Sequence, residues 1–210
     1  MKKFFLIVSV FVLLIISSIA QETRQYKNAV YVSVGAFMVS QKNYYKPITE
    51  VRPAVSVQYN RVLWKGLGIS AGYAFKRANP NAHYITGESI TCTEQTNAIL
   101  ITPNYCFEIK NFNIIPFFSM GVCFTNFIFP VRVSPEEEIY RNVRSKIYPC
   151  FMISPGIRIG YDISRWNIFI SYNFDYYRGD FEPPFSVLAT WTFPKNFGHH
   201  CFNIGAGIKF

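Results

Sequence analysis

The stretch Ile147-Tyr148-Pro149-Cys150-Phe151-Met152-Ile153-Ser154-Pro155-Gly156-Ile157-Arg158-Ile159-Gly160-Tyr161-Asp162 decides the fold. Every odd-numbered position is Ile, Pro, Phe or Tyr. The even-numbered positions carry Tyr148, Cys150, Met152, Ser154, Gly156, Arg158, Gly160 and Asp162. Side chains of a strand alternate between two faces, so a period of two sorts an apolar face from a small, polar or charged one. A helix, with its longer period, would mix them.

The alternation recurs along the chain. Leu67, Ile69, Ala71, Tyr73 and Phe75 alternate with Gly68, Ser70, Gly72, Ala74 and Lys76. Ile168, Ile170, Tyr172, Phe174 and Tyr176 alternate with Asn167, Phe169, Ser171, Asn173, Asp175 and Tyr177. Val55, Val57 and Tyr59 face away from Arg52, Ser56, Gln58 and Asn60. Ile114, Phe118, Met120, Val122 and Phe124 oppose Ser119, Gly121, Cys123 and Thr125. Phe202, Ile204, Ala206, Ile208 and Phe210 oppose Cys201, Asn203, Gly205, Gly207 and Lys209. Residues 29–39 and 96–108 follow the pattern less cleanly. Together these segments predict eight strands of roughly ten residues or more, the length a tilted strand needs to cross a bilayer. Connections near 63–66, 109–111 and 164–166 are short. Those over about 40–50, 77–94, 126–146 and 178–198 are long. Short turns on one side and long loops on the other is the layout of an outer-membrane barrel, with both chain ends on the periplasmic side. Tyr59, Trp64, Phe107, Phe112, Tyr161, Trp166 and Phe210 fall near the predicted periplasmic ends, where a half-wet ring is favoured.

Half of the residues are hydrophobic, yet no run after residue 20 matches a spanning helix, so the apolar side chains are distributed along strands. Met1-Lys2-Lys3, the apolar run 4–16, Ser18 and Ala20 at the −3 and −1 positions, and the polar Gln21-Glu22-Thr23-Arg24 read as a cleavable signal peptide over 1–20. A periplasmic segment over 21–28 and a transmembrane barrel over 29–210 complete the expected organisation. The formal charge of +9 contains no compact Lys/Arg block. Export argues against nucleic acid as the counter-charge and favours anionic lipid head groups. A secreted β-sandwich or lipocalin-like barrel also alternates, but its polar face meets water. The face here is rich in Gly, Ser and Asn with few charges, which suits a filled interior.

The residues 113–118, 154–162 and the ending Phe202-Asn203-Ile204-Gly205-Ala206-Gly207-Ile208-Lys209-Phe210 resemble the outer membrane protein beta-barrel domain common in Bacteroidetes-like bacteria. The chain is also similar in size to the OmpA and OmpX transmembrane barrels. The resemblance covers 29–210 and implies an all-β, eight-stranded antiparallel up-and-down barrel. It implies that the barrel-assembly machinery reads the last strand through Phe210, and that outer-membrane lipids and lipopolysaccharide surround the barrel. Long surface loops would contact a partner protein, including as an accessory of secretion machinery. A structural or interaction role is thus the leading expectation. A small solute-transport or ligand-binding barrel is the alternative, and a lipid-modifying enzyme a third.

Candidate chemistry is sparse, and no catalytic, cofactor-binding or metal-ligating residue is assigned. His199 and His200 precede Cys201, with no acid evident nearby in sequence. Arg52, Lys76, Glu108, Arg158, Asp162 and Asp175 are inward charges by parity, and charges buried in a narrow barrel must pair. Glu136-Glu137-Glu138 reads as a solvated loop run, with a divalent cation as the sharper alternative. The five cysteines, Cys92, Cys106, Cys123, Cys150 and Cys201, show no C-x-x-C or zinc spacing. Parity turns Cys106, Cys123, Cys150 and Cys201 inward as small apolar fillers. Counting from the short turns brings Cys123 and Cys150 to similar heights on neighbouring strands, which leaves a disulfide between them open. Pro53, Pro103, Pro116, Pro149 and Pro155 conflict with the strands that contain them, since each lacks a ladder donor.

Overall fold

The computed structural model describes residues 26–39, 52–78, 81–83, 89–91, 93–132, 140–179 and 196–210. The expected signal peptide, Cys92 and Glu136-Glu137-Glu138 lie outside the described residues, as does the side chain of Arg52. The described chain is all β: β1 (Asn28–Val39), β2 (Arg52–Trp64), β3 (Leu67–Ala78), β4 (Asn81–His83), β5 (Ser89–Thr91), β6 (Thr93–Tyr105), β7 (Phe107–Ile109), β8 (Phe112–Arg132), β9 (Tyr140–Arg144), β10 (Tyr148–Ile163), β11 (Trp166–Gly179) and β12 (Asn196–Lys209).

Eight staves close on themselves. The order β1-β2-β3-β6-β8-β10-β11-β12 returns to β1, and every neighbouring pair is antiparallel. The seam is shut by backbone bonds from Asn28 N–H to the Phe210 carbonyl at 3.0 Å and from Phe210 N–H to the Asn28 carbonyl at 2.9 Å. Closure removes the edge strands that would otherwise present unpaired backbone groups. Three tight turns link staves at one end, here the short-turn end. Lys65 and Gly66 have φ of 35° and 86°, the left-handed pair a two-residue hairpin needs. Lys110 and Ser164, with φ of 56° and 55°, do the same work in the other two turns at some steric cost.

Two expectations about the connections are corrected. The connection 126–146 is largely strand: β8 runs 21 residues to Arg132, and β9 pairs with its last turn of chain from Ile128↔Arg144 to Arg132↔Tyr140. The connection 77–94 holds the small hairpin β4–β5, and β6 begins at Thr93. The expected strand over 96–108 is in fact β6 and β7, separated at Cys106, whose N–H turns to the Gly66 carbonyl at 2.9 Å.

The five strand prolines have a common explanation. All five face outward, and each sits where the ladder on one side is interrupted. Pro53 precedes the first β2–β3 pair, Ala54↔Lys76, and Pro149 precedes the first β10–β11 pair, Cys150↔Gly179. Pro155 falls in the β10–β11 gap between Ile153↔Tyr176 and Gly156↔Asn173. Pro103 falls in the β6–β8 gap between Ile101↔Met120 and Asn104↔Phe117. Pro116 lies between the β7–β8 pairs, which stop at Ile114, and the β6–β8 pairs, which resume at Phe117. The missing donors therefore coincide with missing rungs, and no register slips across either gap.

Parity holds on every stave. Val34, Val57, Ile69, Ile101, Val122, Ile159, Ile170 and Ile204 are exposed around the barrel. Ser70, Ala98, Thr102, Ser119, Cys123, Met152, Asn167 and Asp175 are buried in the lumen.

Candidate functional site

The lumen is packed in layers. Nearer the long connections, Lys76 of β3 and Asp175 of β11 form an ion pair across the barrel, between staves that stand diametrically opposite in the ring. The Asp175 carboxylate also accepts from Asn173 Nδ2 at 2.6 Å, the Cys201 thiol at 3.2 Å and the Tyr177 hydroxyl at 3.3 Å. Lys76 Nζ donates to Cys201 Sγ at 3.2 Å and to the Tyr177 hydroxyl at 3.4 Å. A buried charge is tolerated only with such saturation. Around the pair stand Met152, Tyr148, Phe127 and a disulfide between Cys123 and Cys150, whose Cα atoms are 5.1 Å apart. His199 lies between the rings of Phe37, at 5.0 Å, and Tyr177, at 5.1 Å. Tyr177, Asp175 and Cys123 are 0% exposed, so this layer is shielded from solvent.

A second tie crosses the barrel nearer the short turns. Arg158 of β10 donates from Nη2 to Gln58 Oε1 of the opposite stave β2 at 2.8 Å. Its guanidinium carbon sits 4.4 Å from the ring centres of both Tyr31 and Phe169 and 6.0 Å from that of Phe117. The cation thus lies against two aromatic rings that meet edge to face, their centres 5.7 Å apart at 85°. Gly207, Gly205 and Gly156 make room for these rings, since a methyl group at any of them would overlap Tyr31, Phe169 or Phe117 respectively.

Below Arg158 the lumen opens. A cavity of about 250 Å³ is lined by Arg158, Gln58, Asn60, Asn104, Glu108, Asn113 and Asp162, with Lys27, Lys110 and Lys209 also on its wall. Asp162 is neutralised there: it accepts from Lys209 at 2.5 Å, Asn167 at 2.6 Å and Asn113 at 3.1 Å. Asn60 accepts from Ser70 at 2.8 Å and Asn104 at 2.9 Å, fixing the opposite wall.

Several sequence readings meet this geometry. The four described cysteines all face inward, and the Cys123–Cys150 alternative is the one adopted; Cys106 and Cys201 lie outside that bridge. Register brings Asp175 opposite His199, which corrects the reading that no acid lies near His199 and Cys201. That trio is sealed in the lumen at 1% exposure or less, away from any surface a lipid substrate could reach. His200 faces out, its Nδ1 2.7 Å from the Tyr172 hydroxyl. Sequence reasoning missed Glu94, placed in a loop but 3% exposed in β6 and bonded to Thr96 at 3.0 Å. Its even number, continuing the inward series Thr96, Ala98 and Leu100, was the signal.

No family model and no curated protein sequence matches the chain. Solved structures do match in fold. A major outer membrane protein from Thermus thermophilus superposes with a TM-score of 0.60 at 12% identity, over 89% of this chain and 100% of that one. Ail, the attachment invasion locus protein of Yersinia pestis, gives 0.54 at 12% identity over 89% and 100%. Ail in complex with the heparin analogue sucrose octasulfate gives 0.53. Neisserial surface protein A gives 0.51 at 12% identity over 87% and 97%. At such identities the likeness is one of fold: the chain has the small eight-stranded barrel fold of outer-membrane proteins, of the OmpA and OmpX type.

Proposed function

We propose that the chain is an outer-membrane protein with a structural or interaction role, exported behind a signal peptide over 1–20 and embedded through the barrel 29–210. The observation that carries this is the outward belt. Large apolar side chains stand about 40–65% exposed on every stave, from Val34 at 55% to Ile204 at 57%. A water-soluble monomer does not present an apolar patch that encircles it. A bilayer makes the same surface favourable, and the lumen beside the long connections is packed with side chains. Trp64, Trp166, Phe112 and Phe210 collect at the short-turn end, where the inner interface would lie.

The opposite end carries exposed cations. Arg77, Arg144, Lys146 and Arg178 stand beyond the belt on the long-connection side. Ail, a protein of the same fold, has been seen with a sulfated sugar bound. Phosphorylated sugar head groups, as in lipopolysaccharide, are the matching ligand for such a ring, each cation contributing about 1 kcal/mol near an anionic surface. Replacing Arg77 and Arg178 together by Ala is therefore expected to weaken retention of purified lipopolysaccharide by about 2 kcal/mol, roughly thirty-fold. Retention unchanged in a pull-down of the folded double variant would remove this role.

The solute-transport alternative separates by conductance. The tight packing around Lys76 and Asp175 favours a closed lumen, so the folded protein in a planar bilayer is expected to pass no ion current. Regular unitary steps would favour a channel.

A further inference from the structure

Arg158 is a buried guanidinium that the barrel does not neutralise. It is 8% exposed, yet its side-chain oxygen partners among the described residues are uncharged: Oε1 of Gln58 and the Tyr31 hydroxyl. Its Nε is buried and has no hydrogen-bond partner among the described residues. The two ion pairs seen in the lumen among the described residues do not reach it: Lys76 takes Asp175 and Lys209 takes Asp162. A buried Arg ordinarily holds a carboxylate or phosphate through its planar fork. Here the contacts with Tyr31 and Phe169 hold the guanidinium in place, and no anionic acceptor stands within reach among the described residues.

The place for that acceptor is present. Arg158 lines the cavity of about 250 Å³ that leads to the short-turn end. Among the described residues, Lys27, Lys110, Arg158 and Lys209 line it against Glu108 and Asp162, and with Lys209 and Asp162 paired to each other three cations stand against Glu108 alone. The field inside therefore favours an anion. The volume equals roughly eight waters at about 30 Å³ each, and lies below the ~300–1,000 Å³ of pockets for larger ligands. We infer that the short-turn end of the lumen is a binding site for a small soluble anion bearing one carboxylate or phosphate, with Arg158 as its anchor. The lumen admits it from solution at the short-turn end and retains it there, because the layer above Arg158 is closed.

Gln58→Glu provides the decisive comparison. It changes little in shape and sets a carboxylate where Oε1 now lies, 2.8 Å from Arg158 Nη2. The full chain, folded in a nonionic detergent, is heated in increasing sodium phosphate or sodium acetate, with ionic strength held constant by chloride. The wild-type unfolding temperature is expected to rise saturably with either anion. Gln58→Glu is expected to start higher and to lose that dependence, because it carries its own anion. Arg158→Gln gives a second reading, also without anion dependence. No saturable rise in the wild type, or an equal rise in Gln58→Glu and Arg158→Gln, would overturn the site. A response to phosphatidylglycerol micelles with none to soluble phosphate or acetate would overturn it in favour of a lipid head group.

Discussion

Asp175→Ala is expected to lower the unfolding free energy by about 3–5 kcal/mol, the cost of stranding one member of a buried ion pair. Asp175 is the hub of the sealed layer. Its carboxylate receives Lys76, Asn173, Tyr177 and Cys201, and its own side chain is 0% exposed. Removing it leaves the Lys76 ammonium bonded only to a thiol and a phenol oxygen among the described residues, with the buried Glu94 carboxylate as its remaining, more distant counter-charge. The double variant Lys76→Met with Asp175→Asn removes both charges and keeps an acceptor for Asn173. It is expected to recover most of the loss, since a buried pair replaced as a unit is often close to neutral. Urea titration of the protein folded into phospholipid vesicles, followed by heat-modifiable migration, measures both. A single-variant loss under about 1 kcal/mol would show that the pair behaves as an exposed bridge, and that water fills this part of the lumen.

Ile101→Arg tests the outside of the same barrel. Ile101 is 54% exposed and lies between Ala71 and Met120 on the neighbouring staves, midway along the belt. If the belt meets lipid, an arginine there costs about 2–4 kcal/mol, whereas one near an interface costs about 0–1 kcal/mol. Ile109, 61% exposed beside the β7–β8 turn, supplies the interface comparison. Ile101→Arg is expected to be the more damaging by at least about 2 kcal/mol in vesicles. On a water-facing surface both changes would fall within about 0.5 kcal/mol of zero.

Much of this architecture was legible because a closed barrel expresses itself in local parity. Each of the inward cysteines, Lys76, Arg158 and Asp175 could be placed on its face from its odd or even position alone. Pairing was not legible in that way. Lys76 meets Asp175, and Arg158 meets Gln58, because their staves are opposite in the ring. That relation depends on strand order and stagger rather than on spacing along the chain. The disulfide stood between: counting from the turns left Cys123 and Cys150 about level, and the register then sets them opposite each other. The prolines were legible as outward-facing but not as sitting at ladder gaps, which only the backbone pairing reveals. Glu94 was lost because a charged residue among polar neighbours reads as loop. Its burial beside Thr96 and Thr125 depends on β6 extending beyond the clear alternation.

Under the proposed function the apolar belt faces acyl chains and the lumen does not. Intermolecular nuclear Overhauser effects in lipid nanodiscs test it on the unmodified protein. Methyl groups of Val57, Ile101, Val122 and Ile204, all 44–57% exposed, are expected to show cross-peaks to acyl-chain methylenes. Those of Ala74 and Ala98, at 7% and 2%, are expected to show none. Cross-peaks from the belt methyls to water, with none to the acyl chains, would contradict the membrane-embedded barrel.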